Sequence, residues 1–216
     1  MSADREKQVA AEAAAELVED GMLVGLGTGS TVAFLLPALA ARALDLRCVS
    51  TSPATEKAAR ELGMKVESFA GVDAIPRLDM AIDGADQVAP SGWLVKGGGA
   101  AHTREKAVAA AADRFVVVVS SDKLVEKLSP PVPLELLEYG LGATLHRLGD
   151  VKLRDVPRSP DGGVIADYLG DFDDPEELAA RLSATVGVVE HGLFPAAMVS
   201  DVVVALGEQV EIRSLR

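Results

Sequence analysis

The segment MLVGLGTGST, residues 22–31, decides how the rest of the chain is read. MLVGL is a short apolar run, suited to a buried strand. GTGST follows it, and its glycines let the backbone turn sharply where a side chain would interfere. An apolar stretch at helical spacing then runs from Thr31 to about Ala43, with Pro37 inside it. Proline removes a helical N–H and crowds the preceding turn, so a kink or a late helix start is expected there. Strand, glycine turn and helix in this order are the first half of a βαβ unit.

The same alternation extends in both directions. Upstream, Val9, Ala10, Ala13, Ala14, Leu17 and Val18 form a helical stripe that Asp20-Gly21 ends. Downstream come strand LRCVS, helix PATEKAAREL stopped at Gly63, strands MKVES, DMAID and WLVK, helix TREKAVAAAA and strand FVVVV. Apolar strands alternating with helices predict an α/β fold, a Rossmann-like, mainly parallel sheet covered on both faces. Pro130, Pro131 and Pro133 mark a boundary. Beyond them the order becomes PLELL, LGATLHRL, VKLR, GVIADY, PEELAARLSA and GVVEH. That is β-α-β-β-α-β, the ferredoxin-like order, with Asp174 as N-cap and Pro175 at the first helical position of its second helix. The final DVVVALG reads as a buried strand returning to the main sheet. The expected division is residues 1–128 plus 200–216 as a catalytic domain, with 130–192 as an inserted small α+β domain.

With 49% hydrophobic residues and only 4% aromatic ones, the core must be built from Ala, Val and Leu. A net charge of −12 disfavours nucleic acid and anionic lipid as partners. It leaves room for a small anion held by a local group of lysines and backbone N–H groups. Cys48 is the only cysteine, so an intrachain disulfide or a thiolate metal cluster is excluded and a cytoplasmic setting is expected. The first residues mix charges with Ala and Val rather than forming a signal peptide, and no apolar run is long enough to span a bilayer.

Three segments carry candidate chemistry. In GLGTGST, residues 25–31, the N–H groups opening a helix, with the hydroxyls of Thr28, Ser30 and Thr31, make an anion site. A dinucleotide fingerprint is not met, since Ser30 stands where its third glycine would be, and no acid closes the next strand, which ends Ser50-Thr51-Ser52. The alternative is a plain tight turn. In DMAIDGADQV, Asp83 and Asp86 flank Gly84 and Ala85 after a strand. Carboxylates at a strand's carboxyl end can hold sugar hydroxyls or move protons, although Asp-Gly turns are common. In KGGGAAHTREK, residues 96–106, Lys96 ends a strand, and Gly97, Gly98 and Gly99 let the chain pass close to a ligand. Thr103 is expected to cap the next helix and to place Glu105 in its first turn, beside the ligand if the loop folds inward and otherwise as a surface acid matched to the helix dipole. There the helix N-terminus favours the carboxylate, whereas burial favours the neutral acid. Acid–base groups without a nucleophile triad or nucleotide loop point to proton transfer on a phosphorylated polyol. His102, His146 and His191 lack ligand-like spacing, so no metal is expected.

GLGTGSTV, IDGADQV, VKGGGAAHTREK and SSDKLVEKL, together with GVVEHGLF, resemble in order and spacing the ribose-5-phosphate isomerase A family over nearly the whole chain. The resemblance implies interconversion of D-ribose 5-phosphate and D-ribulose 5-phosphate in the pentose phosphate pathway, with no cofactor. It implies that Thr28, Gly29, Ser30 and Thr31 cradle the substrate, and that Lys123, with Lys7 as a further candidate, holds its phosphate. By the same resemblance Asp83, Gly84, Ala85 and Asp86 contact the sugar, Lys96 with the backbone of Gly97, Gly98 and Gly99 stabilises an enediolate, and Glu105 is the base. A homodimer or homotetramer is the family expectation. Gln87 stands where an acid is usual and His102 where an apolar residue is common, so substrate preference or pH profile is expected to differ. Ser52 to Thr55 and Ser159 to Gly163 also depart, at positions expected on the rim and in the small domain. A coenzyme A transferase or sugar-phosphate deaminase relative, and a sugar-phosphate sensor, are the alternatives.

Overall fold

The computed structural model describes residues 2–215. In chain order the elements are α1 (Ala3–Ala15), β1 (Leu23–Leu26), α2 (Ser30–Ala41), β2 (Arg47–Ser50), α3 (Pro53–Glu61), β3 (Lys65–Val66), β4 (Leu78–Asp83), β5 (Gln87–Val88) and β6 (Leu94–Val95). They continue with α4 (His102–Ala111), β7 (Ala112–Ser120), β8 (Val132–Leu136), α5 (Leu141–Leu148), β9 (Val151–Leu153), β10 (Val164–Tyr168), α6 (Pro175–Ser183), β11 (Val188–His191), β12 (Leu193–Phe194), β13 (Asp201–Leu206) and β14 (Gln209–Ser214).

The chain divides into two compact units, one of residues 1–85, 104–124 and 197–216, the other of 86–103 and 125–196. The first is built on a seven-stranded sheet in the order β14-β13-β7-β4-β1-β2-β3. All its pairs are parallel except the β13–β14 hairpin. Central strands of such a sheet are covered on both faces, which is why Val24, Leu26, Val116, Val117 and Val203 are all buried. Successive strands run outward from β1 to β3, and the chain then crosses to the other side of β1 for β4. The strand order therefore reverses at the β1–β4 pair, whose register sets Leu26 against Ile82. The crevice at the carboxyl ends of such a pair is where open α/β sheets bind ligands.

α1 is alanine-rich because its buried face must lie close to its neighbours. Ala10, Ala11, Ala14 and Ala15 are buried in one core with Leu35, Leu39, Ile82 and Val203. Ser2 caps it by accepting the Arg5 N–H. α2 begins at Ser30 and continues through Pro37 to Ala41, so the expected late start does not occur.

In the second unit β8-α5-β9-β10-α6-β11 forms an antiparallel sheet in the order β11-β8-β10-β9, as the ferredoxin-like pattern requires. Asp174 caps α6 through the N–H groups of Glu176 and Glu177. Leu134, Leu136, Leu178 and Leu182 fill its core. WLVK is not a strand of the main sheet. Its β6 lies in a separate three-stranded sheet, β12-β6-β5, where Leu94 faces Phe194 across an antiparallel pair. An apolar run of this length fits either sheet, and its partner decides. Among the described residues no helix is long and apolar enough to cross a membrane.

Candidate active site

In the first unit the turn after β1 is built around Asp83, the last residue of β4. Gly27 donates its N–H to the Ile82 carbonyl at 2.9 Å, continuing the β1–β4 ladder by one bond. Asp83 Oδ1 then accepts the Thr28 N–H at 3.0 Å and the Gly84 N–H at 2.8 Å. Asp83 is 4% exposed. Gly29 follows with φ +106°, a conformation that side-chain-bearing residues rarely adopt, and α2 starts at the next residue. The sharp turn leaves Gly29 and Ser30 exposed at the helix N-terminus. A Cβ placed on Gly84 would lie 3.7 Å from Thr31 Oγ1, so Thr31 and the Asp83–Ala85 turn are neighbours.

Hydroxyls support this turn from beneath. Thr28 Oγ1 is 2.7 Å from Thr51 Oγ1, and Thr55 Oγ1 donates to the Gly27 carbonyl at 2.9 Å. Ser52 caps α3 by accepting the Thr55 N–H at 3.1 Å. Of the Ser52 to Thr55 stretch, Ser52 and Thr55 are buried and bonded to each other and to the turn that carries Thr28, while Pro53 and Ala54 are exposed.

Lys123 closes the short 3-10 turn Ser121–Lys123 after β7, with Nζ 3.1 Å from Asp122 Oδ2. The Ser120 hydroxyl, more than Lys123 itself, holds the Asp122 carboxyl below its ordinary value, against an opposing push from burial. Lys7 is ion-paired with Asp4 at 2.9 Å. Glu105 lies in the first turn of α4 and is 5% exposed. Cys48 is wholly buried, and burial pushes its thiol up to about 12, which removes it as a nucleophile at neutral pH.

In the second unit two of the three glycines acquire specific reasons. Gly97 has φ +103°, and a Cβ there would lie 2.7 Å from His102 Nδ1, so the fully buried His102 ring packs on bare backbone. Gly98 donates its N–H to Asp86 Oδ2 at 2.7 Å, and a Cβ on it would meet the same carboxylate. Gly97 O accepts the Ala100 N–H at 3.0 Å, closing a turn over Gly98 and Gly99. Lys96 is 2% exposed, with Nζ 5.4 Å from the centroid of the Phe194 ring. Its backbone N–H donates to Gly192 O at 2.8 Å. Thr103 is not the helix cap. α4 already begins at His102, and the Thr103 hydroxyl donates to the buried Glu135 instead.

Arg154 and Asp167, which no sequence motif singles out, also reach the glycine turn. Arg154 donates to the Gly97 and Gly98 carbonyls and holds Asp167 with its other nitrogens. Gln87 donates to Ser129 O and accepts from Ser129 N, both at 2.9 Å, a two-way contact a carboxylate cannot make. Ser159 is buried and donates to Glu135, whereas Pro160, Asp161 and Gly162 of the same stretch are exposed in the second unit.

Within the first unit, the structure thus brings together Thr28, Thr31, Asp83 and Gly84; within the second, it joins Asp86 to Gly98.

Residues 47–209 match the family model described as ribose 5-phosphate isomerase A, or phosphoriboisomerase A. The chain is 47% identical over 210 residues to the ribose-5-phosphate isomerase A of Caulobacter vibrioides, a match covering 90% of this chain and 91% of that one. Its structure resembles the crystal structure of ribose 5-phosphate isomerase A from Neisseria gonorrhoeae, with a TM-score of 0.93 at 30% identity over 100% of this chain and 98% of that one. It is similar also to a D-ribose-5-phosphate isomerase in complex with phospho-erythronic acid, with a TM-score of 0.91 at 33% identity over 99% and 100% of the two chains. Sequence and fold agree over nearly the full length, and the chain belongs to the ribose 5-phosphate isomerase A family.

Proposed function

We propose that the chain interconverts D-ribose 5-phosphate and D-ribulose 5-phosphate through an enediolate, as an enzyme of the pentose phosphate pathway. The observation that carries this reading is the likeness, over 99% of the chain, to an isomerase holding phospho-erythronic acid. That ligand is a phosphorylated sugar acid, and its planar anionic carboxylate imitates an enediolate.

Glu105 takes the C2 proton of the open-chain aldose. The C–H electron pair becomes the C1–C2 double bond, and the C1 carbonyl pair moves onto O1. Lys96 and the backbone of the Gly97, Gly98 and Gly99 turn, whose Gly98 N–H holds Asp86, stabilise that charge. A proton passes from O2 to O1 with help from Asp83 and Asp86, O2 becomes the carbonyl oxygen, and C1 receives the proton from Glu105. Thr28, Gly29, Ser30 and Thr31, with Gly84 and Ala85, hold the substrate, and Lys123, with Lys7 as a further contributor, receives its phosphate. The electron pair never leaves the substrate, so an acid–base group and an oxyanion site suffice without a cofactor.

The reading extends to setting and assembly. It takes residues 1–128 with 200–216 as the catalytic domain, 130–192 as the small domain, the cytoplasm as the setting, and a homodimer or homotetramer as the working form. The lone buried Cys48 supports a reducing setting, and exposed Leu137, Tyr139 and Val186 support self-association through the second unit.

The test follows conversion of D-ribose 5-phosphate, with a chelator present, by the wild type and Glu105→Gln. Turnover by the first alone, with ligand still bound by the second, is expected. A folded but inactive wild type overturns the reaction, and an active Glu105→Gln overturns the assignment of the base.

A further inference from the structure

Arg154 follows β9 and is fixed to β10 at two levels. Its N–H donates to the Ile165 carbonyl at 3.0 Å, and its Nε and Nη2 grip the two oxygens of Asp167 at 2.8 and 2.6 Å. A guanidinium held this way by both fork nitrogens keeps a set direction. The remaining nitrogen, Nη1, donates to Gly97 O at 2.9 Å and to Gly98 O at 3.1 Å. The two side chains are only 17% and 18% exposed, which limits solvent competition for these bonds.

In a trans peptide the carbonyl and the N–H point in opposite directions. The peptide joining Gly97 to Gly98 is therefore held at both ends, its oxygen by Arg154 and the Ala100 N–H and its own N–H by Asp86. The peptide joining Gly98 to Gly99 has its oxygen on the same Arg154 nitrogen, so the Gly99 N–H must point away from Arg154. Glycine peptides turn over easily, because no Cβ resists the rotation. Something must hold them if their N–H groups are to serve as fixed donors.

We propose that the Arg154–Asp167 pair is a positioning device that locks the carbonyls of Gly97 and Gly98, and thereby fixes the Gly98 N–H on Asp86 and turns the Gly99 N–H away from Arg154. The inference rests on the isomerase reading, in which the glycine turn stabilises the enediolate and Asp86, held by the Gly98 N–H, helps move the proton between O2 and O1. Arg154 touches no reacting atom. It acts by keeping the donors oriented before charge develops, so its loss weakens the transition state more than the bound substrate.

The experiment measures kcat, KM, inhibition by phospho-erythronic acid and inhibition by inorganic phosphate for the wild type, Arg154→Met, Arg154→Lys and Asp167→Asn. Arg154→Met is expected to lower kcat by about ten- to a hundred-fold and to weaken phospho-erythronic acid in parallel. KM and phosphate inhibition should stay within about two- to three-fold, the pattern of an interaction made chiefly in the transition state. Lysine should restore only part of the loss, because it cannot grip Asp167 and both carbonyls together. Asp167→Asn should move every readout in the same direction by less. An unchanged kcat in folded variants, or equal losses in phosphate and phospho-erythronic acid binding, overturns the proposal. Should Arg154→Met fail to fold, Arg154→Lys and Asp167→Asn decide by the same criteria. A wild type with no isomerase activity refutes the reaction itself, an outcome separate from either of these.

Discussion

Gly27 and Asp83 leave no room for a single carbon between them: a Cβ on Gly27 would lie 2.0 Å from the Asp83 carboxyl carbon. The same carboxylate accepts the next N–H of the turn, so its position cannot relax without losing the Thr28 bond. Gly27→Ala is therefore expected to displace Asp83, cut turnover by at least about ten-fold and lower stability by about 1–3 kcal/mol, the usual cost of overpacking. Gly142→Ala is the control. Gly142 lies in α5 with nothing within 4 Å of its missing Cβ, and alanine there should stabilise by about 0.5–1 kcal/mol. Denaturant midpoints and kcat for the two variants check both signs.

Glu6 ties α1 to two other parts of the first unit. Its Oε2 accepts from the Ser121 hydroxyl at 2.7 Å and the Ser121 N–H at 2.9 Å, and its Oε1 from the Gly207 N–H at 2.9 Å. The Ser121 hydroxyl bond, followed by the two backbone bonds, holds the carboxyl below its ordinary value. A lowered folded-state value means that the unfolded chain takes up the proton first as pH falls. The stabilisation is therefore complete above the ordinary glutamate pKa of about 4.3 and is lost as pH drops through the lower folded-state value. Glu6→Gln should lower stability at pH 7 by no more than about 1 kcal/mol, because the group is partly solvated. Unfolding midpoints of the two proteins should converge below pH 4, roughly, on the same linkage argument. A gap that persists unchanged at low pH would rule out the charge as its cause.

The Gln87 amide donates to the Ser129 carbonyl. A carboxylate there would set oxygen against oxygen and keep only the bond from the Ser129 N–H. Gln87→Glu is expected to destabilise by about 0.5–1.5 kcal/mol. Thermal unfolding at pH 7 measures it, and a more stable variant would show that this two-way contact is not what selects glutamine.

The sequence makes the first unit legible because parallel strands covered on both faces are continuous apolar runs, and because the turn at Gly27 and Gly29 needs glycine for local reasons. Other features depend on pairing between distant segments. β5, β6 and β12 are two residues each, too short to show a period, so WLVK reads as one more strand of the main sheet. β14 is exposed at all six positions and carries no burial pattern. Arg154 and Asp167 meet only because β9 and β10 pair with Lys152 opposite Asp167. Nothing in VKLR or GVIADY announces that register. The glycine run itself was legible as a place of close backbone approach, but its neighbours were not, since His102 and Asp86 crowd Gly97 and Gly98 through the fold of the turn.

Glu135 is a buried carboxylate of the second unit. It is 2% exposed on β8, and its two oxygens accept the hydroxyls of Thr103 and Ser159. A Cβ on Gly163 would strike the same carboxylate at 2.2 Å, which explains the glycine there. Glu135→Ala removes both acceptors, leaves two hydroxyls in a cavity and is expected to cost about 2–4 kcal/mol. Glu135→Gln keeps one acceptor oxygen, and its amide can donate to the other hydroxyl once that hydroxyl rotates. The loss there should be about 1 kcal/mol. Thr103 stands in the first turn of α4, the helix that carries Glu105, so the alanine variant should also lower kcat while Ser159→Ala lowers stability alone. Unfolding midpoints and kcat measured on all three variants test the order, and a Glu135→Ala protein as stable as the wild type would show that these hydroxyls find water instead.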